Sequence, residues 1–207
     1  MDHGYLQHYN THFKNIRNNK INILEIGVYK GESLRLWQDY FRNGMIYGLD
    51  IEDKYCYQDK RIKIFQGDQN DPSFLESVVS QIGGIDVIID DGSHINEHVI
   101  TSFNTLFPHL NQTGIYVIED MHTSYLPSYG GSYEELLSET TSIGMVKKLI
   151  DSLNHQYIPK NSPNMFDGNI VSVCCYPKIA FIKKGSNNAL LDIDAWRIKR
   201  ELESTDK

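Results

Sequence analysis

The 207-residue sequence predicts an α/β domain. Its expected core is a mostly parallel sheet, wound on both faces by helices and closed by an antiparallel hairpin. Short apolar runs alternate with amphipathic stretches, which is the pattern of βαβ units. Most of those runs are near-continuously apolar, as strands covered on both faces are. The last two β-rich runs are joined only by Pro177 and Lys178, a connection too short for a parallel crossover.

Residues 21–27 (INILEIG) read as the first strand, ending in glycine. Residues 33–41 carry Leu34, Trp37 and Phe41 at helical spacing. Residues 45–50 (MIYGLD) and 61–67 (RIKIFQG) are the second and third strands. Residues 72–82 form a helix, with Pro72 at its first position and Asp71 as N-cap. Residues 85–91 (IDVIIDD) are the fourth strand and 114–120 (GIYVIED) the fifth, with a helix over 96–107 stopping before Pro108. Residues 125–169 are rich in Ser, Gly, Pro, Tyr and Asn, with a helix near 133–153. So polar a stretch suits a lid or substrate-recognition insertion better than core. Residues 170–176 and 179–184 make the hairpin, and 201–207 a charged, frayed tail. The whole is one domain: an N-terminal cap segment over 1–20, an insertion over 121–169 and a terminal hairpin over 170–184.

Composition narrows the function. A formal charge of −7 and a pI near 5.6 argue against a nucleic-acid partner. The apolar runs are strand-sized, far short of the ~20 residues that cross a bilayer, and the polar N-terminus has no apolar signal core. No membrane partner is expected, and the expected location is the cytoplasm. Cys56, Cys174 and Cys175 are odd in number and lack metal-ligand spacing, so they read as free thiols in a reducing compartment.

In doubly wound sheets, ligands bind beyond the carboxyl ends of the strands. Here those ends are acid or glycine: Glu25 to Gly27, Asp50, Asp68, Asp90 with Asp91, and Glu119 with Asp120. The run Glu25-Ile26-Gly27-Val28-Tyr29-Lys30-Gly31 lets backbone approach a ligand closely. Asp50 can accept from both ribose hydroxyls of a nucleoside cofactor. The G-x-x-x-G spacing and the acid before it suit a cationic sulfonium better than a pyrophosphate. Asp68 and Gln69 fall where adenine would lie, and Gly31, Ser33 and Asp90 complete the candidate cofactor set. Asp90 could equally be an ordinary solvated strand-end acid.

Asp91, Glu119 and Asp120 follow neighbouring strands and should converge. Three carboxylates that close need compensation, which a hard divalent cation such as Mg²⁺ supplies. The ordinary alternative is solvated acids that cap the next helix. His94, three residues past Asp91, is a candidate general base, with a ligand role as the alternative. His98 reads as a packing or capping histidine. His122 fits either substrate contact or structure.

The segments ILEIGVYKGESLRLWQDYF, IYGLDI, FQGDQNDP, IDDGSHINEHVITSFNTLFP and IEDMHTSYLPSYGG together resemble the Mg²⁺-dependent sugar O-methyltransferases. The resemblance covers residues 2–131 well and the hairpin more loosely. It implies a class I fold with a seven-stranded sheet, S-adenosylmethionine (SAM) and Mg²⁺ as cofactors, and a deoxysugar glycoside, rhamnose-like, as acceptor. It implies Asp91, Glu119 and Asp120 as metal ligands, His94 as base, and Glu25, Gly27, Asp50, Asp68 and Gln69 as the SAM site. His8 and Tyr9 are similar to an N-terminal segment that closes over the cofactor. Macrolide-type members carry a further N-terminal domain that contributes to their tetramer, whereas this chain begins about twenty residues before its first strand. That leaves two expectations open: a homo-oligomer, or one domain of a longer glycan-modifying protein. The competing readings are methylation of a catechol or other small diol, a nicotinamide-dependent oxidoreductase, and a non-catalytic sugar-binding module.

Overall fold

The computed structural model describes residues 4–158, 164–187 and 200. Seven strands form one sheet: β1 (Asn22–Ile26), β2 (Met45–Asp50), β3 (Ile62–Gln66), β4 (Ile85–Asp90), β5 (Leu110–Ile118), β6 (Ile170–Tyr176) and β7 (Ile179–Lys184). Their order is β3-β2-β1-β4-β5-β7-β6. The first five run parallel, and β7 inserts antiparallel between β5 and β6. Successive strands proceed outward from β1 to β3, and the chain then returns to set β4 on the other side of β1. The β1–β4 boundary is therefore the switch point where such sheets bind ligands.

The helices are α1 (Leu6–Phe13), α2 (Glu32–Tyr40), α3 (Pro72–Ile82), α4 (Asn96–Leu106) and α5 (Ser142–Leu153). Side chains alternate across each strand, so the sheet has two cores. Leu24 and Ile26 of β1 pack in the core that holds Leu75, Phe103 and Leu149 of α3, α4 and α5. Ile23 lies in the other, with Tyr9 and Phe13 of α1 and Leu34 and Trp37 of α2. Asp71 caps α3 as predicted, accepting from the backbone N–H groups of Ser73 and Phe74 at 2.9 and 3.2 Å.

The strands and the hairpin match the sequence reading closely, with differences elsewhere. The helix expected near 133–153 begins only at Ser142, where Thr141 caps it by accepting from Gly144 N–H. The preceding segment has no face to bury: Leu137 is 80% exposed. A segment without a packed stripe seldom holds helix. β5 starts four residues before Gly114, through an irregularity in its pairing with β4 that includes Thr113 at φ 71°. Helix α1 was not foreseen as a helix, although Tyr5, Tyr9 and Phe13 recur every fourth residue and all three are buried. The predicted tail at 201–207, and residues 159–163 of the insertion, lie outside the described residues. All three cysteines are free.

Candidate active site

A cleft of about 480 Å³ opens over the carboxyl ends of β1, β2 and β4. Gly27, Asp50, Asp68, Gln69 and Asp91 line it, joined by Gly92, Ser93 and His98. Its size is in the range of small-molecule sites. Gly27 has φ 93°, and a Cβ there would come within 2.1 Å of the Asp91 carbonyl oxygen. Only glycine lets the β1 and β4 loops touch in this way. Asp50 accepts backbone N–H bonds from Val28 (2.9 Å), Tyr29 (3.1 Å) and Glu52 (2.9 Å). It thus fixes the glycine loop while bordering the cleft. Gln69 is buried, its Oε1 accepting from Ser93 N–H at 2.7 Å and its amide group donating towards Asp90 and Ser102.

Glu25, Gly31, Ser33 and Asp90 do not line the cleft. Strand alternation turns Glu25 to the α2 face, where Trp37 Nε1 and Ser33 Oγ donate to it at 2.8 and 2.9 Å. Burial pushes its carboxyl up to about 8. Gly31 is the N-cap of α2, at φ 71°, against the Tyr57 ring. Asp90 is buried beside Gln69 and Tyr116, and burial raises it to about 7.

Beside the cleft, Asp91, His94 and Asp120 form a group whose ligand atoms all lie within 4.8 Å of one another. His94 Nε2 is 3.9 Å from Asp91 Oδ1 and 3.9 Å from Asp120 Oδ2. His94 and Asp120 both hold left-handed backbone, at φ 58° and 49°. Such conformations are uncommon outside glycine and concentrate at functional sites. Burial lowers the His94 pKa, opposed by Asp120, so the imidazole stays neutral and able to accept a proton.

Glu119 is not in that three-residue group. Tyr9, on α1, donates its hydroxyl to Glu119, and Tyr5 donates to Asp120 Oδ1 at 2.7 Å. Burial and the neighbouring Asp91 hold Glu119 well above the usual carboxylate range, and burial with Asp120 does the same to Asp91. Among the described residues, no lysine or arginine pairs with Asp91, Glu119 or Asp120. A carboxylate-rich set with excess negative charge beside one imidazole fits a hard divalent cation. The glycine loop, the acid at the end of β2 and the adjoining cleft fit an adenosyl cofactor.

His98, read from sequence as packing or capping, borders the cleft, with Nδ1 3.0 Å from Ser93 Oγ. His8 stacks on Tyr176 at 3.8 Å, and neither it nor Tyr9 lines the cleft. His122 is exposed, 3.9 Å from Asp120 Oδ1. The loop that follows is clamped rather than loose. Ser124 Oγ donates to Asn96 Oδ1 at 3.0 Å and lies 2.7 Å from Ser142 Oγ, while Asn96 Nδ2 donates to the Tyr129 carbonyl at 2.9 Å.

Comparison with known proteins agrees with this geometry. A family model described as a methyltransferase domain matches residues 24–121. The chain is 46% identical over 196 residues to demethylmacrocin O-methyltransferase of Streptomyces fradiae, covering 90% of this chain and 50% of that protein. It is 46% identical over 212 residues to mycinamicin VI 2''-O-methyltransferase of Micromonospora griseorubida, covering 98% and 53%. Among solved structures, MycE methyltransferase in complex with Mg, SAH and mycinamycin VI superposes with a TM-score of 0.86 at 44% identity, covering 93% of this chain and 53% of that one. The chain spans about half the length of the curated relatives it matches.

Proposed function

We propose that this chain is a SAM-dependent sugar O-methyltransferase that methylates a hydroxyl of a deoxysugar, rhamnose-like, within a glycoside, as its 40–46% identity to sugar O-methyltransferases supports. The observation that carries this reading is Asp91, which lines the 480 Å³ cleft and also belongs to the Asp91–His94–Asp120 group. A methyl donor in the cleft and an acceptor at the acids would therefore meet at one residue.

Asp50 would hold the ribose hydroxyls, and Asp68 and Gln69 would flank adenine. Asp91, Glu119 and Asp120 would hold the cation. Bound SAM supplies a methyl group on a sulfonium, and bound Mg²⁺ lowers the pKa of a hydroxyl that it polarises. His94 Nε2 would take the proton of that hydroxyl, and the low pKa of its imidazole keeps it in the accepting form near neutrality. Asp91, shared by the cleft and the acidic group, would place the acceptor hydroxyl beside the methyl donor. The spacing of His94 from Asp91 and Asp120 favours one second reading, in which His94 is itself a ligand.

Two relatives from Streptomyces olivaceus, 40% and 37% identical, are named for the 2' hydroxyl of a rhamnosyl tetracenomycin and the 3' hydroxyl of its 2-methoxy-rhamnosyl counterpart. Both names place the reaction on a rhamnose, and two neighbouring sugar oxygens can chelate one cation, which supports a rhamnose-like acceptor here. The test compares rhamnosides, matched monodeoxy rhamnosides and catechols side by side, with SAM and Mg²⁺. Transfer to rhamnosides, lost when one vicinal hydroxyl is removed, is the expected result. Equal rates on the monodeoxy sugars would discard chelation, and a preference for catechols would discard the sugar.

A further inference from the structure

Tyr5 and Tyr9 stand one helical turn apart at the start of the chain and lie on one face of α1. Glu119 and Asp120 are consecutive residues just past β5. Side chains of consecutive extended residues point to opposite faces. Here the left-handed backbone of Asp120, at φ 49° and ψ 35°, ends the strand pattern, so both acids reach the same helix. Tyr5 donates to Asp120 Oδ1 at 2.7 Å, and Tyr9 donates to Glu119 Oε1. Both rings are fixed. Tyr5 is 7% and Tyr9 4% exposed, and Tyr9 packs edge-on against Trp37 and Phe181 at 4.8 and 5.4 Å.

Resting on the reading above that these acids hold a divalent cation, we infer that Tyr5 and Tyr9 are positioning residues for that site, each orienting one carboxylate ligand. A carboxylate has two oxygens and about four lone-pair sites. A hydroxyl fixed on one oxygen leaves the other free and limits its rotation. Outer partners of this kind typically matter by roughly 10- to 100-fold in metal affinity. Helix α1 thereby becomes part of the metal centre although none of its residues need touch the ion. The two hydroxyls also give each of these half-buried carboxylates a hydrogen-bond donor.

The test is Mn²⁺ binding by calorimetry to the SAM-free protein, in wild type, Tyr5→Phe, Tyr9→Phe and Tyr40→Phe. Tyr40 bonds α1 at Asn10, 3.1 Å away, and so helps to dock the helix without meeting an acid. The expected result is a roughly 10- to 100-fold weaker Kd in Tyr5→Phe and Tyr9→Phe, with Tyr40→Phe unchanged. The Mg²⁺ concentration for half-maximal activity should rise in parallel, with kcat at saturating Mg²⁺ close to wild type. Far-ultraviolet dichroism and the cation-free melting temperature check that each variant is folded. Unchanged or tighter Mn²⁺ binding in both site variants would overturn the inference while leaving the cation reading intact. Equal weakening in Tyr40→Phe would reduce the effect to helix docking and overturn it too. A wild type that binds no Mn²⁺ would remove the cation reading itself, and the inference with it.

Discussion

Trp37 Nε1 donates to Glu25 Oε1 across 2.8 Å of fully buried space. The strand-end acid is thus tied to α2, and the low-dielectric surroundings favour its protonated form. Its carboxyl moves from an ordinary value of 4.5 to about 8. Between those values the native state keeps a proton that the unfolded state has lost, so stability falls as pH rises. The contribution is complete below about pH 4.5 and gone above about pH 8. In EDTA, the melting temperature should therefore decline across that window. Glu25→Gln, which can still accept from Trp37, should flatten the decline by the equivalent of a few kcal/mol. Asp90, raised from 3.8 to about 7, adds a slope of the same sign. An unchanged pH profile in Glu25→Gln would show that this carboxyl titrates normally.

Asp50→Ala should weaken SAM binding sharply. On the proposed reading, the substitution would remove the acceptor for two ribose hydroxyls, at roughly 1.5–3 kcal/mol per hydrogen bond to a charged group. It also frees the Val28 and Tyr29 N–H groups that hold the glycine loop. Calorimetry with SAM is the measurement, and wild-type affinity in the variant would exclude Asp50 from the cofactor site.

Turnover should require a divalent cation. Exhaustive EDTA treatment should abolish methyl transfer and added Mg²⁺ should restore it, while Asp120→Ala should stay inactive at ordinary Mg²⁺ concentrations. Full activity after chelation would take the cation out of the mechanism.

His94→Ala should lower kcat by about 10²–10⁴, the usual scale for losing a general base, while leaving SAM affinity unchanged. Loss of Mn²⁺ affinity in the same variant would reassign His94 as a ligand, which its 3.9 Å distances to Asp91 and Asp120 also allow.

The sheet was legible because buried parallel strands write themselves as apolar runs with ligand-facing ends. The boundaries of β2, β6 and β7 match those read from the sequence. The gathering of Asp91, His94 and Asp120 was legible for the same reason, since the β4 and β5 ends must be neighbours. The chemistry of Glu25 suggested a cofactor contact, whereas its bonds to Trp37 and Ser33 follow from the strand alternation that turns it to the α2 face, a level the local sequence does not display. Tyr5 and Tyr9 were missed as partners of the acids because the contacts span 115 and 110 residues. No local pattern encodes such a distance. His98 resembled a helix-start histidine, and only the packing of Ser93 beside it reveals the cleft wall.

The Gly27–Asp91 contact sets terms for anyone redesigning this protein. The loops that follow β1 and β4 lean on each other so closely that not even a methyl group fits between them. Gly92 is confined in the same way, with Gln69 Oε1 2.2 Å from where its Cβ would stand. Loop grafts that lengthen or stiffen either partner should move both sites together, so the two cannot be exchanged as independent cassettes. On the proposed reading of residues 121–169 as a substrate-recognition insertion, acceptor choice would instead be altered at its exposed positions, such as His122, Leu126, Ser128 and Tyr133.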